Sequence, residues 1–306
     1  MSGPEILTSG PSDRTAIEAL DRSVREATGH PALGEAVWRD LGQSAPTSIG
    51  YLAREDDQPV AYLHAARSDT FTPQHWALGL VRAPGDPRTD ATNLLLVAAQ
   101  DHIAANGGGQ TILWQFDPTP ADDALFASRH FEPKRDLYQM RVALPLAEVA
   151  HFPDDVVVRT FEPGRDEAAW LEVNNRAFVN HPEQGGWIKA TLARRMAEPW
   201  FDPERFLLAF DGDGLAGFNW LKVHEPDGHD PRLGEIFVIG VDPGRQGRGL
   251  GRALAVEGLA LLAQDGITTG MLFVAAENSS ALALYRALGF DVHRVDRAYE
   301  RMVTPQ

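Results

Sequence analysis

The feature that most restricts how this chain can fold is that it repeats. "AREDDQPVAYLH" from Ala53 and "AFDGDGLAGFNW" from Ala209 both read as strand, acidic turn, strand. "LGLVRAP" from Leu78 matches the position of "VIGVDP" from Val238, and "LFASRHFEP" from Leu125 corresponds to "LYRALGFDV" from Leu284, a short helix followed by an aromatic that begins the next strand. The period, roughly 155 to 160 residues, is the size of a domain and not of a solenoid unit. The 306 residues therefore describe one fold used twice, as domains 1–148 and 149–306. The boundary is expected within "PLAEVAHFPDD", Pro145 to Asp155, where a proline and a polar stretch precede the new strand "VVVRTF".

Each half reads as strand, one or two helices, a strand hairpin, a long apolar strand, a helix, a strand, a helix and a closing strand. That order predicts an α/β class, more closely α+β, with a central mixed sheet flanked by helices in both domains. "GEIFVIGVDP" from Gly234 is a near-continuous apolar run, as in a strand covered on both faces. Leu250, Leu254, Gly258 and Leu261 then recur at helical spacing, so one side of the following helix packs on that sheet.

Between strand and helix lies "VDPGRQGRGLGRAL", Val241 to Leu254. Glycines bring backbone N–H groups close to an anion, and a helix N-terminus adds its positive dipole end. A P-loop needs a lysine followed by Ser or Thr after its last glycine, and a dinucleotide fingerprint needs G-x-G-x-x-G with a later acidic residue; neither spacing is present. On the residues alone, a phosphate cradle and a glycine-rich turn with surface arginines both stay open.

The segment resembles the pyrophosphate-binding motif of the GCN5-related N-acetyltransferases, Q/R-x-x-G-x-G/A, with Gln246, Gly249 and Gly251 in its fixed positions. Downstream, "AAENSSALALYRALGF" supplies the asparagine and tyrosine usual in that superfamily, Asn278 and Tyr285. The doubled architecture, "NHPEQGGW" from Asn180, "FNWLKVHEPD" from Phe218 and "GEIFVIGVDPGRQGRGLG" from Gly234 further resemble the mycothiol synthases, tandem enzymes of the superfamily. The resemblance implies acetyl-CoA as co-substrate, held by Val238, Ile239, Gly240, Gln246, Gly247, Arg248, Gly249, Leu250, Gly251, Arg252 and Asn278. It also implies acetyl transfer to the cysteinyl amine of cysteinyl-glucosaminyl-inositol; acetylation of another amine and a non-catalytic acetyl-CoA sensor are the alternatives.

An amine attacks a thioester only as the neutral base, so a carboxylate beside it both attracts the ammonium and takes its proton. Glu235 matches the family's base, and Tyr285 its proton donor to the departing thiolate. Gly240 is expected to allow close approach or a bulge at the strand end, with backbone N–H groups of 238–240 meeting the oxyanion. Glu35, Glu183, Lys222, Glu235 and Phe273 are the expected acceptor contacts, Phe273 standing where the family commonly presents a tyrosine.

The first half departs from the motif. "GDPRTDATN" replaces the glycines, Asp86 and Asp90 oppose a pyrophosphate, and Phe126 stands at the place of Tyr285. Acetyl transfer is expected to be absent there, with Leu78, Gly79 and Leu80 left as backbone contacts for a CoA. The sequence has no cysteine, and its ten histidines show no metal-ligand spacing, so no metal is expected. A net charge of −15 opposes nucleic acid, and neither a membrane span nor a signal segment is present. A cytoplasmic monomer acting on a small molecule is the resulting expectation.

Overall fold

In the computed structural model, residues 3–43, 48–68, 75–85, 89–179, 181, 184–226 and 230–306 are described. The chain divides into two compact units: Met1–Leu137 with Arg294–Gln306, and Tyr138–His293. These are not the contiguous halves expected on either side of 148, because the last strand of the chain is built into the first unit. Strand Asp291–Val303 pairs antiparallel with strand Gly109–Phe116 along its length from Asp296 to Val303. A closing strand expected for the C-terminal half thus supplies backbone hydrogen bonds to the first unit.

The first unit contains β1 (Glu5–Thr8), α1 (Arg14–Thr28), α2 (Glu35–Gln43), β2 (Ser48–Glu55), β3 (Gln58–Ser68), β4 (His75–Arg82), α3 (Thr89–Ala105), β5 (Gly109–Phe116) and α4 (Pro120–Ser128). β6 (Glu132–Ala143) begins in it, and the second half of that strand belongs to the second unit. The second unit continues with β7 (Val157–Thr160), α5 (Glu167–Ala177), α6 (Lys189–Met196), β8 (Phe206–Asp211), β9 (Gly214–His224), β10 (Leu233–Val241), α7 (Leu250–Gln264), β11 (Thr269–Ala275) and α8 (Ser279–Ala287), before β12 (Asp291–Val303).

The strand order is β1-β2-β3-β4-β5-β12 in the first unit and β6-β11-β10-β9-β8-β7 in the second. In each, antiparallel hairpins lead to one parallel pair joined by a helix: β4 and β5 across α3, β10 and β11 across α7. The parallel pair is covered on the α7 face by Ile236, Leu259, Leu262, Leu272 and Val274, which explains the unbroken apolar run of β10. The opposite face of the second unit carries an aromatic core in which Trp170, Phe206, Phe218 and Trp220 are wholly buried and pack edge to face or stacked.

The hairpins of the two halves agree residue for residue, each opening on a two-residue acidic turn and each carrying a bulge, at Ala53/Arg54 and at Ala209/Phe210. The next strands do not. β10 shifts register against β9 between Ile236 and Val238, so Phe237 is an inserted residue, whereas β4 pairs with β3 without interruption. The insertion moves the strand match by one residue: the counterpart of Val238 is Gly79 and not Leu78.

Candidate functional site

β10 alternates its side chains. Ile236 enters the α7 core, so Glu235 stands on the opposite face, directly across from Lys222 on β9. Leu233 is the register partner of His224, which therefore lies on the same face two residues along from Lys222. Glu235 and Lys222 are 6% and 7% exposed. A carboxylate that far from water needs a partner, and the Nε2 of His224 donates to its Oε2 over 2.7 Å. The Lys222 ammonium lies 5.1 Å from the centre of the Trp200 ring. The inserted Phe237 packs edge-on against Trp200 at 4.9 Å and Trp220 at 5.6 Å, turning the bulge into an aromatic wall beside the carboxylate.

Beyond the bulge the parallel strands part. β10 pairs with β11 only from Leu233↔Thr269 to Ile236↔Leu272, although both strands continue. Val238, Ile239 and Gly240 remain paired to β9, opposite Trp220, Asn219 and Phe218. Their backbone on the other side faces the gap, where a ligand can use the unmatched hydrogen-bonding groups. Of the two reasons expected for Gly240, close approach holds, to aromatic rings: a Cβ there would lie 2.9 Å from the Phe218 ring and 3.2 Å from Phe178, while the bulge sits earlier, at Phe237.

The gap leads into the glycine loop. Asp242 accepts from the N–H of Gly244 at 2.9 Å and is clamped by Arg176, whose Nε lies 2.9 Å away. Burial opposes ionisation of Asp242, but the Arg176 contact and the Gly244 hydrogen bond outweigh it and hold the carboxyl below its usual range. Gly247 and Gly249 both have φ of +80°, a left-handed conformation that side chains disfavour. Gly249 is the N-cap of α7 and contributes no side-chain hydrogen bond, so the first-turn N–H groups are left for an anion. Leu250 is buried and anchors that turn, while Gln246, Gly247, Arg248 and Gly249 are exposed. The loop arginines already hold carboxylates: Arg248 binds both oxygens of Asp155 at 2.7 Å, and Arg252 binds Glu148 at 2.7 and 2.5 Å. A phosphate approaching either arginine exchanges one anion for another.

α8 closes the site. The Asn278 side chain caps it, accepting from the N–H of Ala281 at 3.2 Å and from Ser280 at 3.0 Å, so its oxygen is occupied by local structure. Tyr285 is buried against Phe290, with ring centres 5.6 Å apart, and burial pushes its phenol up to about 12. Among the described residues its hydroxyl has no hydrogen-bond partner. Phe273 is 36% exposed on β11, on the same alternating face as Met271, the register partner of Glu235.

Glu235, Lys222, Phe273, Tyr285, Asn278 and the glycine loop thus all belong to the second unit. Glu183 lies outside the described residues, as does the side chain of Glu35, which starts α2 in the first unit. Leu78, Gly79 and Leu80 are in β4, with both leucines in the first unit's core. That unit has its own opening where β4 and β5 part beyond Gly79↔Trp114, a cavity of about 520 Å³ lined by Leu80, Arg82, Gln115, Phe116 and Asp122 among others. Arg82 and Asp122 pair there at 2.6 Å. Asp86 is outside the described residues; Asp90 is exposed in the first turn of α3. His224 is assigned no role by the motifs legible in the sequence. The signal that places it is its spacing of two from Lys222, which on a strand puts both on one face. No group of His, Asp and Glu among the described residues could hold a metal ion, and no helix among them is long and apolar enough to cross a membrane.

Residues 168–290 match the acetyltransferase (GNAT) family. The chain is 40% identical over 297 residues to a mycothiol acetyltransferase of Thermobispora bispora, covering 95% of this chain and 97% of that one. Among solved structures, it resembles a GCN5-related N-acetyltransferase from Sphaerobacter thermophilus with a TM-score of 0.77 at 23% identity, over 100% of this chain and 97% of that one. A tandem GNAT protein from the clavulanic acid biosynthesis pathway gives a TM-score of 0.74 at 15% identity, over 99% of both chains.

Proposed function

The chain belongs to the mycothiol acetyltransferases, tandem members of the GCN5-related N-acetyltransferase superfamily that use acetyl-CoA in mycothiol synthesis, and on that premise we propose that its second unit acetylates the cysteinyl amine of cysteinyl-glucosaminyl-inositol. The observation that carries this reading is continuity along one strand: a buried carboxylate, then a parting of strands, then an uncapped helix N-terminus with left-handed glycines. These residues fit acetyl-CoA, since the loop suits a pyrophosphate and the gap suits an extended arm ending near Glu235.

Gly247, Gly249 and the first turn of α7 hold the pyrophosphate. The 238–240 backbone receives the thioester arm and, with an N–H, the developing oxyanion. Glu235 attracts the acceptor ammonium and removes a proton, which frees the nitrogen lone pair to attack the thioester carbon; the carbon–sulfur bond then breaks, the electron pair leaves with sulfur, and the second proton lost by the nitrogen ends on the thiolate as CoA thiol. Tyr285 serves as hydrogen-bond donor to that thiolate. With its phenol at about 12 and a thiol near about 8.5, complete transfer is about 5 kcal/mol uphill, so a shared proton during bond breaking fits better than outright protonation.

Lys222 and Phe273 face the acceptor side with Glu235. Lys222 suits a hydroxyl-rich sugar and inositol, and Phe273 offers an apolar face. The first unit carries no acetyl transfer: Phe126 is buried against Tyr299 at 4.7 Å in place of a phenol, and Arg82 with Asp122 occupies the strand opening. Leu78, Gly79 and Leu80 are left to contact a CoA only by backbone, because the leucine side chains are committed to the core. A cytoplasmic monomer without nucleic-acid or membrane partners accords with the net charge of −15.

The test is acetyl-CoA consumption by the purified protein with cysteinyl-glucosaminyl-inositol beside glucosaminyl-inositol, free cysteine, an aminoglycoside and a ribosomal N-terminal peptide. Strong preference for the cysteinyl conjugate is expected. Equal or faster turnover of another amine overturns the acceptor assignment.

A further inference from the structure

We infer that His224 is a positioning residue for the acetyl transfer, acting through Glu235. The inference rests on the reading of Glu235 as general base. Among the described residues, His224 is the one side chain hydrogen-bonded to that carboxylate, with Nε2 2.7 Å from Oε2. A glutamate side chain has rotational freedom that a base cannot use, because proton transfer requires an oxygen held within hydrogen-bond reach of the incoming nitrogen. The antiparallel register brings His224 to Glu235 diagonally, beside the Lys222 directly across, so the imidazole reaches one carboxylate oxygen and leaves Oε1 for the acceptor.

The other polar neighbour on this face, Lys222, has its ammonium 5.1 Å from the centre of the Trp200 ring. The counterpart positions in the first unit carry neither group: Ala77 pairs with Ala66 where Glu235 pairs with Lys222, and Ser68 pairs with His75 where His224 pairs with Leu233. Base and support are absent together.

The test compares His224→Ala, His224→Gln, Glu235→Gln and the Ala/Gln double variant of the full-length protein, with kcat and both KM values measured and acetyl-CoA binding followed by calorimetry. The expected result for His224→Ala is a fall in kcat of about 10- to 100-fold with the acetyl-CoA KM within about twofold of wild type. His224→Gln, which keeps an N–H donor, recovers most of the rate. The double variant is no slower than Glu235→Gln alone, since His224 acts through that carboxylate. If Glu235→Gln is impaired while His224→Ala runs at the wild-type rate, or if the two losses multiply, the inference is overturned and the base reading stands. A wild-type rate for Glu235→Gln overturns the base reading, and the role of His224 with it. Equal loss in His224→Gln and His224→Ala, with acetyl-CoA binding intact, also counts against a hydrogen-bonding role.

Discussion

The two parallel strand pairs begin as equivalents and end as opposites. In both units a hairpin feeds a strand that pairs in parallel with the strand beyond a helix, and in both the pair parts after a few residues. In the second unit the parting strand carries an inserted Phe237, a buried Glu235 and a loop whose amides are open. In the first, the strand runs without a bulge, Ala77 stands at the counterpart of Glu235, and an arginine–carboxylate pair sits at the opening. The fold therefore supplies an opening in either unit. Chemistry requires side chains that only one of them has.

The largest test of this contrast is Glu235→Gln, expected to lower kcat by about 10²- to 10⁴-fold while acetyl-CoA binding persists. Ala77→Glu in that background is expected to restore nothing, as measured by steady-state kinetics, because the loop and the donor are missing beside it; recovered turnover breaks the contrast. Tyr285→Phe is expected to cost about 10- to 100-fold in kcat, and Phe126→Tyr to leave kcat unchanged. A loss for Tyr285→Phe confined to the acetyl-CoA KM turns that residue into a packing group.

A smaller effect is expected at the loop. Gly249→Ala forces a side chain into a left-handed conformation at a cost of about 1–2 kcal/mol, read as a roughly tenfold rise in the acetyl-CoA KM with kcat little changed. The smallest concerns stability. The carboxyl of Asp242 is depressed in the folded protein, so its contribution is present above the ordinary carboxylate range near about pH 4 and is lost as pH falls through the folded value. Asp242→Asn should therefore lower Tm at pH 7, and the gap to wild type should shrink on acidification. A gap constant across pH shows that the charge of Asp242 is not what stabilises the loop.

Much of this was legible before the fold was seen. The repeat gave the doubled architecture because hairpin turns and strand periodicity are local, and the glycine loop announced itself because left-handed backbone and an uncapped helix start need particular residues at particular places. Glu235 is marked by its resemblance to the base of the acetyltransferase family. The His224–Glu235 pair is not legible in the sequence because the two stand eleven residues apart, and only the register of β9 on β10 brings them together. The close approach that Gly240 allows is to the rings of Phe218 and Phe178, which come from another strand and from the segment after α5 and are not legible locally.

The sequence by itself determined the strand and helix order, the loop that suits a phosphate, the acidic replacement of that loop in the first half, and the family. Those are properties of short segments, fixed by which residues tolerate a given backbone. Only the tertiary structure decided that the last strand of the chain completes the first unit, that Phe237 is the inserted residue, and that His224 is hydrogen-bonded to Glu235. Each depends on hydrogen bonds between strands, and a strand's pattern of apolar and polar residues specifies which face it buries without specifying its neighbour.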